Sequence, residues 1–347
     1  MISAIKNRIE QKLSGYLRNL DKAYSLSRIS PVLYGSIKNF LSRKGKRVRP
    51  ALFVLGYMGF AKKPAAGLYM SAVSLELLHG FMLIHDDIID KSATRRGEPS
   101  MHEMLNHYLA RYKNIKFNGQ DLAIVIGDVI YALALEAFLS IKETAPRKEA
   151  ALKKLIRAAV YTGSGEFIEL LYGAKNIDKI AKQDIYKIYD LKTANYTFAT
   201  PLCMGALLAG AGKEQLDILS KLGKYLGRAF QIKDDFLGLF GKERKTGKSN
   251  LTDLQEAKKT MLIWYAYQKS SGKDKLTMKR IFSANKVGKK DLLTMRRIVS
   301  GSGALEYAGK EVNSLINKAE VLHSRLKMRP PYKSALIKYS REMLELA

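Results

Sequence analysis

Cysteine, proline, tryptophan and acidic residues are all scarce in this chain. One cysteine, Cys203, stands among 347 residues, so no intrachain disulfide can form and nothing calls for an oxidising compartment. With only 8 prolines and no Pro/Gly/Ser-rich linker, long stretches are free to stay helical and no boundary divides the chain. No run alternates apolar and polar residues for long enough to argue a sheet. The opening segment, MISAIKNRIEQKLSGYLRNL, breaks its apolar positions with charges every few residues and has no continuous signal-peptide core, so the expected location is cytoplasmic. Residues 123–141 have about the length of a membrane span but carry Asp128 and Glu136, which fits a buried core helix better. Zinc-ligand spacing, RNP-like segments and basic-aromatic repeats are missing too, which argues against nucleic acid as a partner.

What remains is a long chain, 47% hydrophobic, in which the apolar residues recur at helical spacing. It reads as all-α, long enough for one big domain or two ordinary ones. Helices are expected over 2–26, 31–43, 51–61, 66–91, 123–142, from Pro146 to 173, and over 214–240. A helix and then a loop are expected in 103–118, and a helix kinked near Pro201 in 184–202. The formal charge is +28, and the excess is concentrated at the ends. Basic residues outnumber acidic ones 12 to 2 in residues 1–50 and 24 to 10 in residues 242–347. Such a balance fits a phosphorylated substrate or an anionic membrane surface.

The scarce acids are not scattered evenly. Residues 74–100 read SLELLHGFMLIHDDIIDKSATRRGEPS. Here an apolar run ends in Asp86, Asp87 and Asp90, then turns through Arg95, Arg96 and Gly97. In a helix Asp86 and Asp90 lie one turn apart on one face with Asp87 beside them, a hard-oxygen set suited to a divalent metal. The paired arginines supply planar donors for phosphate. His79, two turns before Asp86, shares that face; His85 is on another and reads as a packed histidine. Asp234 and Asp235 close a second apolar helix in QIKDDFLGLFGKERKTGKSNLTDL, followed by Lys248, Asp253 and Lys258. If the two acidic helix ends face one another, the space between them suits a diphosphate. In RKGKRVRP, residues 43–50, five of eight residues are basic, and Gly45 is expected to bend the backbone so that Lys46 and Arg49 face one anion. Lys192 and Thr193 form a KT pair inside the kinked helix.

In this order and spacing, the first Asp-rich motif with its RRG, the KT pair, AFQIKDDFLG and the later GK and TDL elements resemble the trans-isoprenyl diphosphate synthases, or polyprenyl synthetases. Within that family LLHGFMLIHDDIID is similar to the short-chain archaeal type of geranylgeranyl diphosphate synthase. The resemblance implies a single all-helical domain of isoprenoid-synthase type over residues 1–347, around a central cavity, and a homodimer. It also implies condensation of isopentenyl diphosphate with an allylic diphosphate (dimethylallyl, geranyl or farnesyl). The expected product is geranylgeranyl diphosphate (C20), with farnesyl diphosphate or a C15/C20 mixture as the alternative. By the same likeness Asp86 and Asp90 bind two Mg2+ ions and Asp234 a third, with Asp87 and Asp235 adjoining; Mn2+ is an alternative ion. Arg95, Lys192 and Lys258 hold the allylic diphosphate, joined by Lys248, while Lys46, Arg49, His79 and Arg96 take isopentenyl diphosphate. Thr193 and Gln231 offer oxygen dipoles near the carbocation. Phe81 and Met82, five and four residues before Asp86, form the floor that limits product length. Three departures stand out: Gly238 in place of a third Asp, Lys44 in place of a glycine, and GEFIE at 165–169 in place of GQxxD. A class I terpene cyclase would need an Asn/Ser/Glu metal motif after Asp234 that is missing. A silent regulatory subunit, or a nucleic-acid binder reusing the fold, would not need both acidic motifs. The basic ends lead to one more expectation, a loose association with anionic membrane.

Overall fold

The computed structural model describes residues 1–241 and 249–344, most of them helical. In chain order these are α1 (Ile2–Tyr24), α2 (Leu26–Ile29), α3 (Pro31–Ser42), α4 (Val48–Phe60), α5 (Leu68–Ile89), α6 (Met101–Leu109), α7 (Gly119–Phe138), α8 (Ala145–Ala174), α9 (Lys182–Ile188), α10 (Thr200–Leu208) and α11 (Lys213–Phe240). Six further helices follow between Thr252 and Leu344 among the described residues. The expected helices are therefore present, most with ends shifted by a few residues. Local chemistry explains several of those ends. Pro31 occupies the first turn of α3, where the Ser30 hydroxyl accepts from Leu33 N at 3.3 Å. Asn118 caps α7 by accepting from Gln120 N at 2.7 Å, and Asp121 accepts in return from Asn118 N at 2.8 Å.

Two features differ from expectation. Thr94–Arg95 (β1) and Glu98–Pro99 (β2) form a minimal antiparallel hairpin, with Arg96 and Gly97 at its tip, both at positive φ (57° and 79°). Its arms of two residues are too short to leave an alternating pattern. Residues 184–202 stay helical but not uniformly α-helical, passing from α9 into a π-helical segment, Tyr189–Ala199, and on into α10.

The chain clusters into two compact units, one of residues 1–152 with 205–210 and one of 153–204 with 211–347. The first is organised on α5, which packs against α1, α4 and α7. By length and composition α5 could cross a membrane, yet 61% of its apolar window is buried within the protein. It is therefore a core helix. Helix α7, expected from its sequence to be the apolar core helix, buries Ile126, Ile130 and Leu133 and leaves Asp128 largely exposed.

The second unit is organised on α11, which packs against the π segment and against the helix Ala304–Arg325. Two glycines one turn apart make the first contact possible. A Cβ on Gly223 would lie 2.4 Å from the Ala199 Cα, and one on Gly227 would lie 2.3 Å from the Ala194 Cα. Gly227→Ala improves helix propensity by about 0.5–1 kcal/mol but forces two backbones apart, an overpacking cost of about 1–3 kcal/mol, so net destabilisation is expected. Gly309→Ala, where nothing lies within 4 Å of the added carbon, should instead stabilise. Denaturant midpoints of the two variants test this, and a stabilised Gly227→Ala protein would contradict it.

Candidate active site

The end of α5 brings the first motif together. The helix stays regular through Asp90, whose amide donates to Asp86 O at 2.8 Å, so Asp86 and Asp90 do share a face one turn apart. Three carboxylates at a helix C-terminus oppose the helix dipole and favour nearby cations. Arg95 supplies one. From β1 its Nε donates to both oxygens of Asp87, at 2.8 and 3.0 Å, and its Nη2 lies 3.2 Å from Asp86 Oδ2. Asp87 is fully buried whereas 21% of the Asp86 side chain is exposed. Asp87 thus faces the protein and anchors Arg95. Burial works against the Arg95 charge, but Asp87 and Asp86 more than offset it and raise its pKa.

Behind this end lies a cluster of cations. Lys46 is exposed on the loop between α3 and α4, and Arg49 sits half-buried in the first turn of α4. Burial, then the guanidiniums of Arg49, Arg96 and Arg95, push the His79 imidazole well below its usual value, so it is neutral near pH 7. The structure therefore gathers Arg49, His79, Arg95 and Arg96 in one place. Gly45 serves this cluster differently from expectation. It has no positive φ; the left-handed residue of the loop is Arg47, at φ 48°. What matters at Gly45 is the missing Cβ, which would lie 3.0 Å from the Arg96 Nη2. Lys44, beside it, is exposed.

Phe81 and Met82 are both partly buried on α5, about one turn before Asp86. The Phe81 ring lies 4.6 Å from the His85 ring and 5.1 Å from that of Tyr131 on α7. His85 Nδ1 is 3.1 Å from Phe81 O, and its ring fills the space left by Gly127, the packing role expected of it.

In the second unit the π segment carries Lys192 and Thr193. Lys192 Nζ is paired with Glu166 and lies 2.6 Å from Glu169 Oε2, both on α8. The GEFIE departure thus places two carboxylates around the KT lysine. Gly165 permits the approach, since a Cβ there would come within 2.9 Å of the Lys192 amide nitrogen. Thr193 Oγ1 donates to Gln231 Oε1 at 2.5 Å, and Gln231 Nε2 donates to Asp235 Oδ1 at 2.9 Å. The Tyr189 hydroxyl donates to Asp235 Oδ2 and accepts from Met261 N at 2.9 Å. Asp235 is buried, and that burial drives its pKa well above the carboxylate range, whereas Asp234 is exposed.

Lys258 lies 2.7 Å from Glu256 Oε2 and 3.4 Å from Asp253 Oδ1. The Gly238 departure also has a steric correlate: a Cβ there would sit 2.5 Å from Asp253 Oδ2. Lys248 lies outside the described residues. Sequence reasoning missed Glu76, Glu166, Glu169 and Tyr189. Only the spacing of Glu166 and Glu169, which puts them on one helix face, hints at a shared partner.

Known proteins match this chain over most of its length. A short chain isoprenyl diphosphate synthase of Methanocaldococcus jannaschii is 31% identical over 262 residues, 76% of this chain and 71% of that one. A geranylfarnesyl diphosphate synthase of Aeropyrum pernix is 30% identical over 299 residues, 85% and 87% of the two chains. The crystal structure of a geranylgeranyl pyrophosphate synthase from Corynebacterium glutamicum, complexed with isoprenyl diphosphate and magnesium, has the same fold, with a TM-score of 0.86 at 23% identity over 99% of this chain and 98% of that one. The sequence profile of the Polyprenyl synthetase family matches residues 30–298. With the Asp-rich end of α5, its flanking arginine cluster and the aspartate pair within α11 already described, this match means that the chain belongs to the polyprenyl synthetase family of trans-prenyltransferases.

Proposed function

We propose that this short-chain trans-prenyltransferase joins isopentenyl diphosphate to an allylic diphosphate (dimethylallyl, geranyl or farnesyl) and releases geranylgeranyl diphosphate, C20. The observation that carries the reading is the carboxylate pair one helical turn apart, partly exposed Asp86 and buried Asp90, beside a packed cluster of arginines. The relatives' names span short-chain, geranylgeranyl and geranylfarnesyl products, and the partly buried Phe81 in its aromatic cluster favours C20 over C25. Farnesyl diphosphate, or a C15/C20 mixture, is the second reading.

Hard carboxylate oxygens are a fitting donor set for Mg2+, and Asp86, Asp90 and Asp234 would hold it as three ions, with Mn2+ able to replace it. When bound, the metal supplies Lewis acidity that stabilises charge on the leaving diphosphate. Asp87 and Asp235, both turned into the protein, act as supports. Arg95, Lys192, Lys258 and Lys248 take the allylic diphosphate, and Lys192 exchanges Glu166 and Glu169 for its oxygens. Because Thr193 donates its proton to Gln231, its lone pairs remain to face the cationic carbon left when the C–O bond breaks. Lys46, Arg49, His79 and Arg96 hold isopentenyl diphosphate. Its double bond attacks that carbon, and the proton then lost from the new chain passes to the departed diphosphate. No protein nucleophile is required, and the apolar walls exclude water.

In this reading residues 1–347 act as one catalytic domain around a central cavity, in a cytoplasmic homodimer. An apolar stripe on α8 supports the dimer: Val160, Phe167 and Leu171 are 59%, 65% and 51% exposed. The basic ends favour loose contact with anionic membrane, where an apolar product can depart, and no nucleic acid is involved.

Incubation with labelled isopentenyl diphosphate, each allylic primer and Mg2+, followed by sizing of the product alcohols, tests the whole assignment. Asp86→Ala should lower kcat by about a thousandfold or more with the fold intact, and near-wild-type turnover at saturating Mg2+ would remove the metal assignment. Arg49→Ala should chiefly raise the KM for isopentenyl diphosphate and Lys192→Ala should chiefly lower kcat; identical kinetic patterns would merge the two diphosphate sites into one. For chain length, each added five-carbon unit buries roughly 100 Å2, a gain of a few kcal/mol wherever room exists. Phe81→Ser should therefore carry products beyond C20, and Met82→Ala should add a smaller shift. An active Phe81→Ser enzyme that still stops at C20 would place the floor elsewhere.

A further inference from the structure

Glu76 is the acidic member of a small cavity lined by four arginines, Arg43, Arg47, Arg95 and Arg96, together with apolar residues of α3 and α5, and no step of the reaction uses it. It lies on α5 one turn before His79, with 5% of its side chain exposed. Its Oε1 pairs with Arg47 Nη1 and lies 3.4 Å from Arg96 Nη2, so one carboxylate oxygen serves two guanidiniums. Both arginines have left-handed backbones, at φ 48° and 57°, a conformation disfavoured for a non-glycine residue and kept where side chains hold it. Arg47, 1% exposed, is gripped from its other side by Glu10 of α1, with Nε to Oε1 at 2.7 Å. Arg96 also donates from Nη1 to Arg43 O at 3.1 Å.

Arg96 is therefore built in from behind. Burial, and then Arg47 and Arg95, work against its charge, while Glu76 opposes them. If the Glu76 charge is removed, two guanidiniums face each other in a poorly solvated pocket, and the hairpin tip loses a contact that fixes where Arg96 points.

We propose that Glu76 is a positioning residue for isopentenyl diphosphate, setting Arg96 at the hairpin tip, and that Glu10 extends the same device to α1. The proposal rests on the assignment of Arg96 to that substrate. An arginine held by a buried carboxylate reaches the diphosphate without first losing side-chain freedom, which lowers the cost of binding.

Steady-state kinetics of Glu76→Gln, with each substrate varied in turn, test it. The KM for isopentenyl diphosphate should rise about tenfold or more, with kcat and the allylic KM within about threefold of wild type. Glu76→Asp, which keeps the charge, should recover part of the loss, and Glu10→Gln should raise the same KM about threefold. In the double variant Glu76→Gln/Arg96→Ala the two effects should fall well short of adding, since both act through one guanidinium. An unchanged isopentenyl KM in folded Glu76→Gln, or an equal rise in both KM values, overturns the proposal. If Glu76→Gln does not fold, Glu10→Gln decides alone, and an unchanged isopentenyl KM there overturns it. Arg96→Ala separates the two levels of the argument: if it leaves the isopentenyl KM unchanged the pocket assignment fails, and if it raises that KM while Glu76→Gln does not, only the positioning role fails.

Discussion

The ion pair between Arg95 and Asp87 is the constraint on which the first motif depends. A helix that ends in three carboxylates points its negative dipole end at its own negative charge, and a fully buried aspartate there needs a cation in contact with it. Arg95 meets that need in a bidentate geometry, and the hairpin that carries it is thereby folded back onto the helix end. The turn of that hairpin sets Arg96, the next residue, toward Glu76 and the loop before α4. One buried pair thus determines where a carboxylate face ends and where a cationic face begins.

The second unit applies the same logic with neutral bonds. Asp235 accepts from Tyr189 and Gln231, Gln231 accepts from Thr193, and Tyr189 reaches on to the backbone of Met261. A buried polar network of this kind is stabilising only when its members are satisfied, so its geometry is closely defined. In both units the first and second aspartates of an adjacent pair part company. One, Asp86 or Asp234, keeps solvent access, and its neighbour is turned inward to hold the parts in place.

How much of this was legible in the sequence depends on separation along the chain. Asp86 and Asp90 could be placed on one face because four residues make one helical turn. His85 could be assigned to packing by the same rule, though its pocket at Gly127 could not be foreseen. The Lys192 carboxylates lie a full 23 and 26 residues upstream, and nothing local to the KT pair points to them. Gly45 was read through backbone freedom, the usual reason for a glycine, when its actual service is room for a guanidinium from another element. The π segment looked like a kink because β-branched residues and Pro201 crowd its end. The chain accommodates them by widening its turns rather than by breaking the helix.

The seam between α11 and the π segment separates two kinds of constraint within one stretch of chain. On its inner side Ala194 and Ala199 meet Gly223 and Gly227 backbone to backbone, so a larger residue at those glycines is resisted whatever reaction the protein performs. On the other side the Lys192 and Thr193 side chains reach Glu166, Glu169 and Gln231. On the proposed role of the KT pair, a descendant of this protein that gave up catalysis and kept the scaffold would be free to lose the lysine and threonine but would have to retain the small residues. In a divergent copy, the seam would mark shared architecture and the KT pair would mark retained chemistry.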